Sequence, residues 1–93
     1  MLDEPLDPAK SKKLVREIIE NGKVEFSGHA LKELNEDNLS ELDAINVLRG
    51  GWPDPAEYEN GSWRYRFQTV RICVVVSFRT EDWTVVITAW KKR

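Results

Sequence analysis

Arg71-Ile72-Cys73-Val74-Val75-Val76-Ser77-Phe78 is the most apolar and most β-branched run of the chain, and it reads as an interior strand. Side chains alternate along a strand, so Ile72, Val74, Val76 and Phe78 point to one side and Arg71, Cys73, Val75 and Ser77 to the other. The first side reads as core, the second as a mixed surface on which to look for function.

Working outward toward the C-terminus, a turn at Thr80–Trp83 returns the chain as Thr84–Lys91. This register pairs Phe78 with Val85, Val76 with Ile87 and Val74 with Ala89 on the core side, and places Thr84, Val86, Thr88 and Trp90 with the arginines. Toward the N-terminus, a tight turn at Thr69-Val70 sets Phe67 opposite Ile72 and Arg66 opposite Cys73. Ser62–Thr69 and Ala56–Glu59 flank Asn60-Gly61, the preferred pair for a two-residue type I′ hairpin, which sets Tyr58 against Trp63 and Glu57 against Arg64. A one-residue slip would exchange the two faces, so agreement across three turns supports the register.

Before the strands the period is helical. Asp7-Pro8 starts a helix whose stripe is Leu14, Val15, Ile18 and Ile19, with Asn21-Gly22 as a left-handed stop. Val24–Phe26 is an extended link. Ser27 caps a second helix with the stripe Ala30, Leu31 and Leu34. Ser40, in a capping-box variant, starts a third with Ala44, Ile45 and Leu48 inward, and Gly50-Gly51 ends it before Trp52-Pro53-Asp54-Pro55, with Trp52 at the edge of the core. The expected fold is α+β: three N-terminal helices packed on one face of a four-stranded antiparallel β-meander, in a single domain over 1–93. Residues 1–23 supply the first helix, 24–51 the other two and 52–93 the sheet.

Ninety-three residues with 41% hydrophobic and 32% charged side chains suit one globular core. The acidic start and the lack of a long apolar run speak against a signal peptide or membrane span, so the expectation is a cytoplasmic protein with no membrane contact. One Cys and one His do not make a disulfide or a four-ligand zinc site, and no metal or cofactor is expected. The net charge of −2 hides a division: residues 1–60 carry 7 basic against 14 acidic side chains, residues 61–93 carry 7 against 2. The strand-rich part is therefore basic, which fits either a polyanion-facing surface or an internal match to acidic helices.

The uncovered face should carry Arg64, Arg66, Arg71, Thr88 and Trp90 around Cys73, Val75, Ser77 and Val86. Guanidinium groups clamp phosphate oxygens and an indole stacks an unpaired base, which suits single-stranded RNA. The rival reading is a second small core or a homodimer contact, with the arginines paired to Glu57 and other acids. His29 falls in the first turn of the second helix, away from its apolar stripe, where the helix terminus favours a ring able to accept a proton. Cys73, mid-strand, reads as a structural thiol.

The order V-E-F-S-G-H-A-L-K-E-L, L-S-E-L-D-A-I-N-V-L-R-G-G, Tyr58-Glu59-Asn60-Gly61, R-I-C-V-V-V-S-F and V-I-T-A-W, over about residues 24–91, resembles a family of small bacterial proteins catalogued as a domain of unknown function. That family is grouped with the barnase, EndoU, colicin and RelE type ribonuclease toxins and is often encoded beside an antitoxin. The resemblance implies a RelE/barnase-like fold and a metal-independent endoribonuclease of a toxin–antitoxin module, with RNA and a cognate antitoxin as partners. It places His29 as the helix histidine, Lys32 where arginine is common, and Thr88 with Trp90 where threonine and tyrosine are usual. Combined with the face read above, His29, Arg64 and Arg66 are the candidate catalytic residues and Lys32, Arg71, Thr88 and Trp90 the candidate substrate-binding residues. The alternative is a non-catalytic RNA- or protein-binding module using the same face.

Overall fold

A helix over Pro8–Asn21 (α1), a four-residue strand Lys23–Phe26 (β1) and two further helices, Gly28–Glu36 (α2) and Glu41–Gly50 (α3), precede a run of strands in the computed structural model, which describes residues 2–93. The strands are β2 (Trp52–Pro53), β3 (Glu57–Glu59), β4 (Ser62–Gln68), β5 (Ile72–Thr80) and β6 (Trp83–Lys91). The class is α+β, with three helices and a mixed sheet of six strands rather than a four-stranded meander. The sheet order is β1-β6-β5-β4-β2, and β3 pairs with β4. Among the described residues no helix is long and apolar enough to cross a membrane.

Each helix starts where a side-chain oxygen satisfies a free backbone amide. Asp7 accepts from Lys10 N, Ser27 from Ala30 N, and Ser40 from Asp43 N while the Asp43 carboxylate accepts from Ser40 N, a reciprocal capping box. α1 does not end in a left-handed residue, since Gly22 has φ −116°. Glycine is needed there for space, because a Cβ would collide with the backbone carbonyl of Asp82.

The link Val24–Phe26 is a strand, pairing parallel to β6 with Val24 opposite Thr84 and Phe26 opposite Val86. Short and of mixed polarity, it offers no alternation long enough to be read, and only its partner makes it a strand. Beyond it the edge of β6 is covered by α2. Glu33 Oε1 accepts from Ala89 N at 3.3 Å and Asp37 Oδ2 from Lys91 N at 2.8 Å. A carboxylate of α2 and that of its C-cap residue Asp37 thus satisfy amides that an open sheet edge would leave free.

The Asn60-Gly61 hairpin has positive φ at both residues, 49° and 82°, and sets Tyr58 opposite Trp63 and Glu57 opposite Arg64, as the sequence predicts. β4 and β5 pair two residues away from the expected register, with Phe67 opposite Val74 and Arg66 opposite Val75. An even shift preserves the faces. Between β5 and β6, Val74 meets Ala89 as expected, but a bulge intervenes after Val75↔Thr88, so Val76 meets Val86 and Phe78 meets Thr84. An extra residue at a bulge reverses the alternation on one strand. Val86 and Thr84, expected on the arginine face, are fully buried instead.

The core lies between the helices and the face carrying Tyr65, Phe67, Val74, Val76, Phe78, Val86 and Ala89; Val15 and Ile18 come from α1, Ala30 and Leu34 from α2, and Ala44, Val47 and Leu48 from α3. Removing the ring of fully buried Phe67 would cost about 3–5 kcal/mol. Leu31, expected inward, is 43% exposed, Ile87, expected on the core side, is only half-buried, and Trp52, expected at the edge of the core, lies at the surface with Lys12 Nζ 4.6 Å above its ring.

Candidate functional site

Alternation along β4 sends Tyr65 and Phe67 into the core and Arg64 and Arg66 to the other face. There the two arginines, with Val75 of β5 and Thr88 and Trp90 of β6, line a groove of about 200 Å³. Its opposite rim is formed by Pro55, Glu57 and Glu59. The Arg66 guanidinium sits 5.9 Å from the centre of the Trp90 ring, within the range in which a cation is drawn to an indole face. The Arg64 Nε is buried and has no hydrogen-bond partner among the described residues, and a buried donor left unpaired is costly unless something supplies an acceptor.

The face is not the open platform expected from the sequence. Cys73, Val75 and Ser77 are buried, and of the three Val75 lines the groove. Burial pushes the Cys73 thiol up to about 11, against the opposing pull of the nearby Arg66 and Lys92 cations. A thiol so placed is held protonated, in keeping with a structural role. The expected pairing of the arginines with Glu57 is absent: among the described residues neither Arg64 nor Arg66 forms an ion pair, although Glu57 and Glu59 share their groove.

His29 stands outside the groove and is tied to it. Its Nε2 lies 3.2 Å from Glu33 Oε1, and the same oxygen accepts a hydrogen bond from the hydroxyl of Thr88, a lining residue of the groove. Glu33 is the residue the sequence reading missed. Its only signal was the spacing of four from His29, which on a helix brings side chains together. Since a carboxylate only accepts, Nε2 is the donor in this contact, and in the neutral form of the ring the lone pair is on Nδ1.

Two candidates lie elsewhere. Arg71 lines a separate concavity of about 430 Å³ with Asn38, Asp43, Asn46 and Lys91. Lys32 is exposed on α2 and is not part of the groove's lining. Among the described residues no three His, Cys, Asp or Glu side chains are grouped so as to hold a metal ion.

No curated protein and no solved structure matches the chain. Residues 26–91, which run from the end of β1 to the last residue of β6 and so include every groove-lining side chain, match the family described as a domain of unknown function (DUF4258), and the chain belongs to that family.

Proposed function

We propose that the chain is a metal-independent endoribonuclease that binds single-stranded RNA in the groove between Arg64, Arg66 and Trp90. The observation that carries this reading is the chain of contacts His29–Glu33–Thr88, which ends in a groove whose two guanidinium groups have no carboxylate partner among the described residues. The resemblance to a family grouped with the RelE and barnase type ribonuclease toxins supports it, and it supplies the setting of a toxin silenced by an antitoxin protein.

In this mechanism a 2′-hydroxyl oxygen attacks the adjacent phosphorus. The new O–P bond forms as the bond to the 5′-oxygen breaks, leaving a 2′,3′-cyclic phosphate. His29 Nδ1 takes the 2′-hydroxyl proton and the imidazolium returns a proton to the departing 5′-oxygen, while Glu33 fixes the ring and steadies its charged form. Arg64 and Arg66 hold the phosphate and offset the charge that builds on its oxygens. Trp90 stacks a neighbouring base.

The test is cleavage of a labelled single-stranded RNA by the wild type, His29→Ala and Arg66→Ala. Loss of cleavage with retained binding in His29→Ala, and loss of both in Arg66→Ala, are the expected results. Undiminished cleavage in both variants would end the proposal. RNA binding without cleavage by the wild type would leave the non-catalytic binding module, a reading favoured by the position of His29 outside the groove.

A further inference from the structure

The concavity that holds Arg71 shares no lining residue with the groove. Arg71, in the turn before β5, and Lys91, at the end of β6, supply its positive charge, and α3 supplies Asp43 with Asn46 and Val47, which their spacing of three and four sets on one helix face. Leu39, Val47 and Ile72 give it an apolar lining. Among the described residues neither the Arg71 nor the Lys91 side chain has a hydrogen bond or ion pair. Both oxygens of Asp37 are already taken, by Lys91 N and by Arg93 Nη2, and the Asp43 carboxylate accepts from Ser40 N. The backbone beside the two cations is pinned. Thr69 Oγ1 accepts from Arg71 N at 3.2 Å and from Ile72 N at 3.1 Å, and Lys92 N donates to Arg71 O at 2.8 Å. A site fixed before its ligand arrives loses less freedom on binding.

The geometry points to a binding site for the C-terminal end of a peptide whose last residue is aliphatic. Such an end carries three groups close together: an α-carboxylate, an apolar side chain and a backbone N–H. Capture of a terminal carboxylate is a recurring mode of peptide recognition. Arg71 offers a planar fork of donors that matches a carboxylate, and Lys91 adds a second cation. Leu39, Val47 and Ile72 suit the aliphatic side chain, and Asp43 is an acceptor for the N–H. The same set of groups decides against a nucleic acid. A phosphodiester brings an anion but no aliphatic group for the apolar lining, and the Asp43 carboxylate repels the phosphates that follow. The volume of about 430 Å³ falls within the roughly 300–1,000 Å³ of pockets that enclose a ligand. This site stands independently of the nuclease reading, since the groove contributes nothing to it.

The experiment titrates the isotope-labelled protein with glycine-serine hexapeptides ending in valine, leucine or isoleucine, each as the free acid and as its C-terminal amide, and follows backbone amides by NMR. The free acids should shift the amides of Leu39, Val47 and Ile72, and the amidated twins should bind about tenfold more weakly, the loss expected for one charge-assisted hydrogen bond. Arg71→Gln should weaken the free acids by about the same factor and leave the amidated peptides unaffected, a coupling that damage to the fold would not produce. Equal affinity for acid and amide, or a preference for the acid that survives in Arg71→Gln, overturns the carboxylate assignment. N-acetyl-leucine binding as tightly as the peptides would overturn the peptide assignment and reduce the site to one for small aliphatic carboxylates. A nonamer of uridine that shifts the same three amides would hand the concavity to RNA and overturn it as well. Absence of any shift there with millimolar peptide overturns the site itself, and none of these results bears on cleavage in the groove.

Discussion

Thr88 of β6 donates its hydroxyl hydrogen to Glu33 of α2. This contact joins the helix that carries His29 to the strand that lines the groove, and it is made at the carboxylate oxygen that also faces His29 Nε2. His29 itself is largely exposed and has little else to hold it. Thr88→Val keeps the shape and removes the hydroxyl donor, leaving Glu33 held on the strand side only by the 3.3 Å bond from Ala89 N. The expected outcome in a single-turnover assay is a cleavage rate reduced about tenfold, against the 10²–10⁴-fold loss typical of removing an acid–base group for His29→Ala. The stability loss in denaturant should be only about 1 kcal/mol, so a rate loss at unchanged folding separates positioning from structural damage.

The two concavities separate the arginines. Arg64 and Arg66 line the groove with Trp90, whereas Arg71 lies in the other concavity beside Asp43 and Lys91. If the RNA follows the groove, Arg64→Ala and Arg66→Ala each remove one phosphate contact and should lower the slope of log affinity against log salt by about 0.7, the single-strand value per neutralised phosphate. Arg71→Ala should leave both slope and affinity unchanged. Titrations at four salt concentrations check this, and an Arg71 effect equal to that of Arg66 would move the binding path to the other concavity.

Local chemistry carried most of what could be read in advance. Ser27 and Ser40 cap the helices they were expected to cap, and Asn60-Gly61 makes the expected hairpin, because in each case a specific side chain or a positive φ decides the outcome within four residues. What escaped depends on partners far along the chain. Lys23–Phe26 becomes a strand through β6, some 60 residues later. The bulge beside Val76 follows no residue type, and it moves Thr84 and Val86 into the core, where Thr84 Oγ1 is satisfied by donating to Ser77 O at 2.8 Å. The candidate site shows the same division. Arg64, Arg66, Thr88 and Trp90 were placed together by alternation, which survived an even register shift. The link from His29 to the groove was not readable, since it passes through Glu33 on a helix that no sequence rule docks against that edge.

Gly51 should resist replacement for a reason of space rather than backbone angle. It follows α3 with an ordinary φ of −78°, yet a Cβ there would stand 2.5 Å from Val47 O and 2.7 Å from Gln68 O. Both are backbone atoms, one held in the helix and one in β4, and neither can yield as a side chain would. Gly51→Ala is expected to cost about 1–3 kcal/mol in urea denaturation, while Gly50→Ala, where a Cβ meets nothing within 4 Å, should be neutral or slightly stabilising. Equal stability of the two variants would show that the α3–β2 junction relaxes freely.

Alkaline pH should unfold the protein through groups that burial keeps neutral. Burial raises the Cys73 thiol from its ordinary 9.0 to about 11, and burial foremost also raises the Tyr65 hydroxyl, which accepts from Leu6 N and donates to Glu4 Oε2. For an acid whose neutral form is favoured by folding, the unfolded chain releases its proton first as pH rises. The contribution of Cys73 is therefore fully present below about pH 9 and is lost progressively as pH climbs from 9 to 11. Tyr65 acts in the same direction, starting from its ordinary value of 10.0, so its part of the decline begins about one pH unit higher. Cys73→Ala should flatten the stability profile between pH 9 and 10 and make the decline from 10 to 11 shallower, since Cys73 and Tyr65 share that interval and only the Tyr65 part remains. Denaturant midpoints measured every half unit from pH 7 to 11 decide the matter. A decline between pH 9 and 10 that is undiminished in Cys73→Ala would mean that the thiol ionises as readily in the folded chain as in the unfolded one, and that the groove face above it admits water.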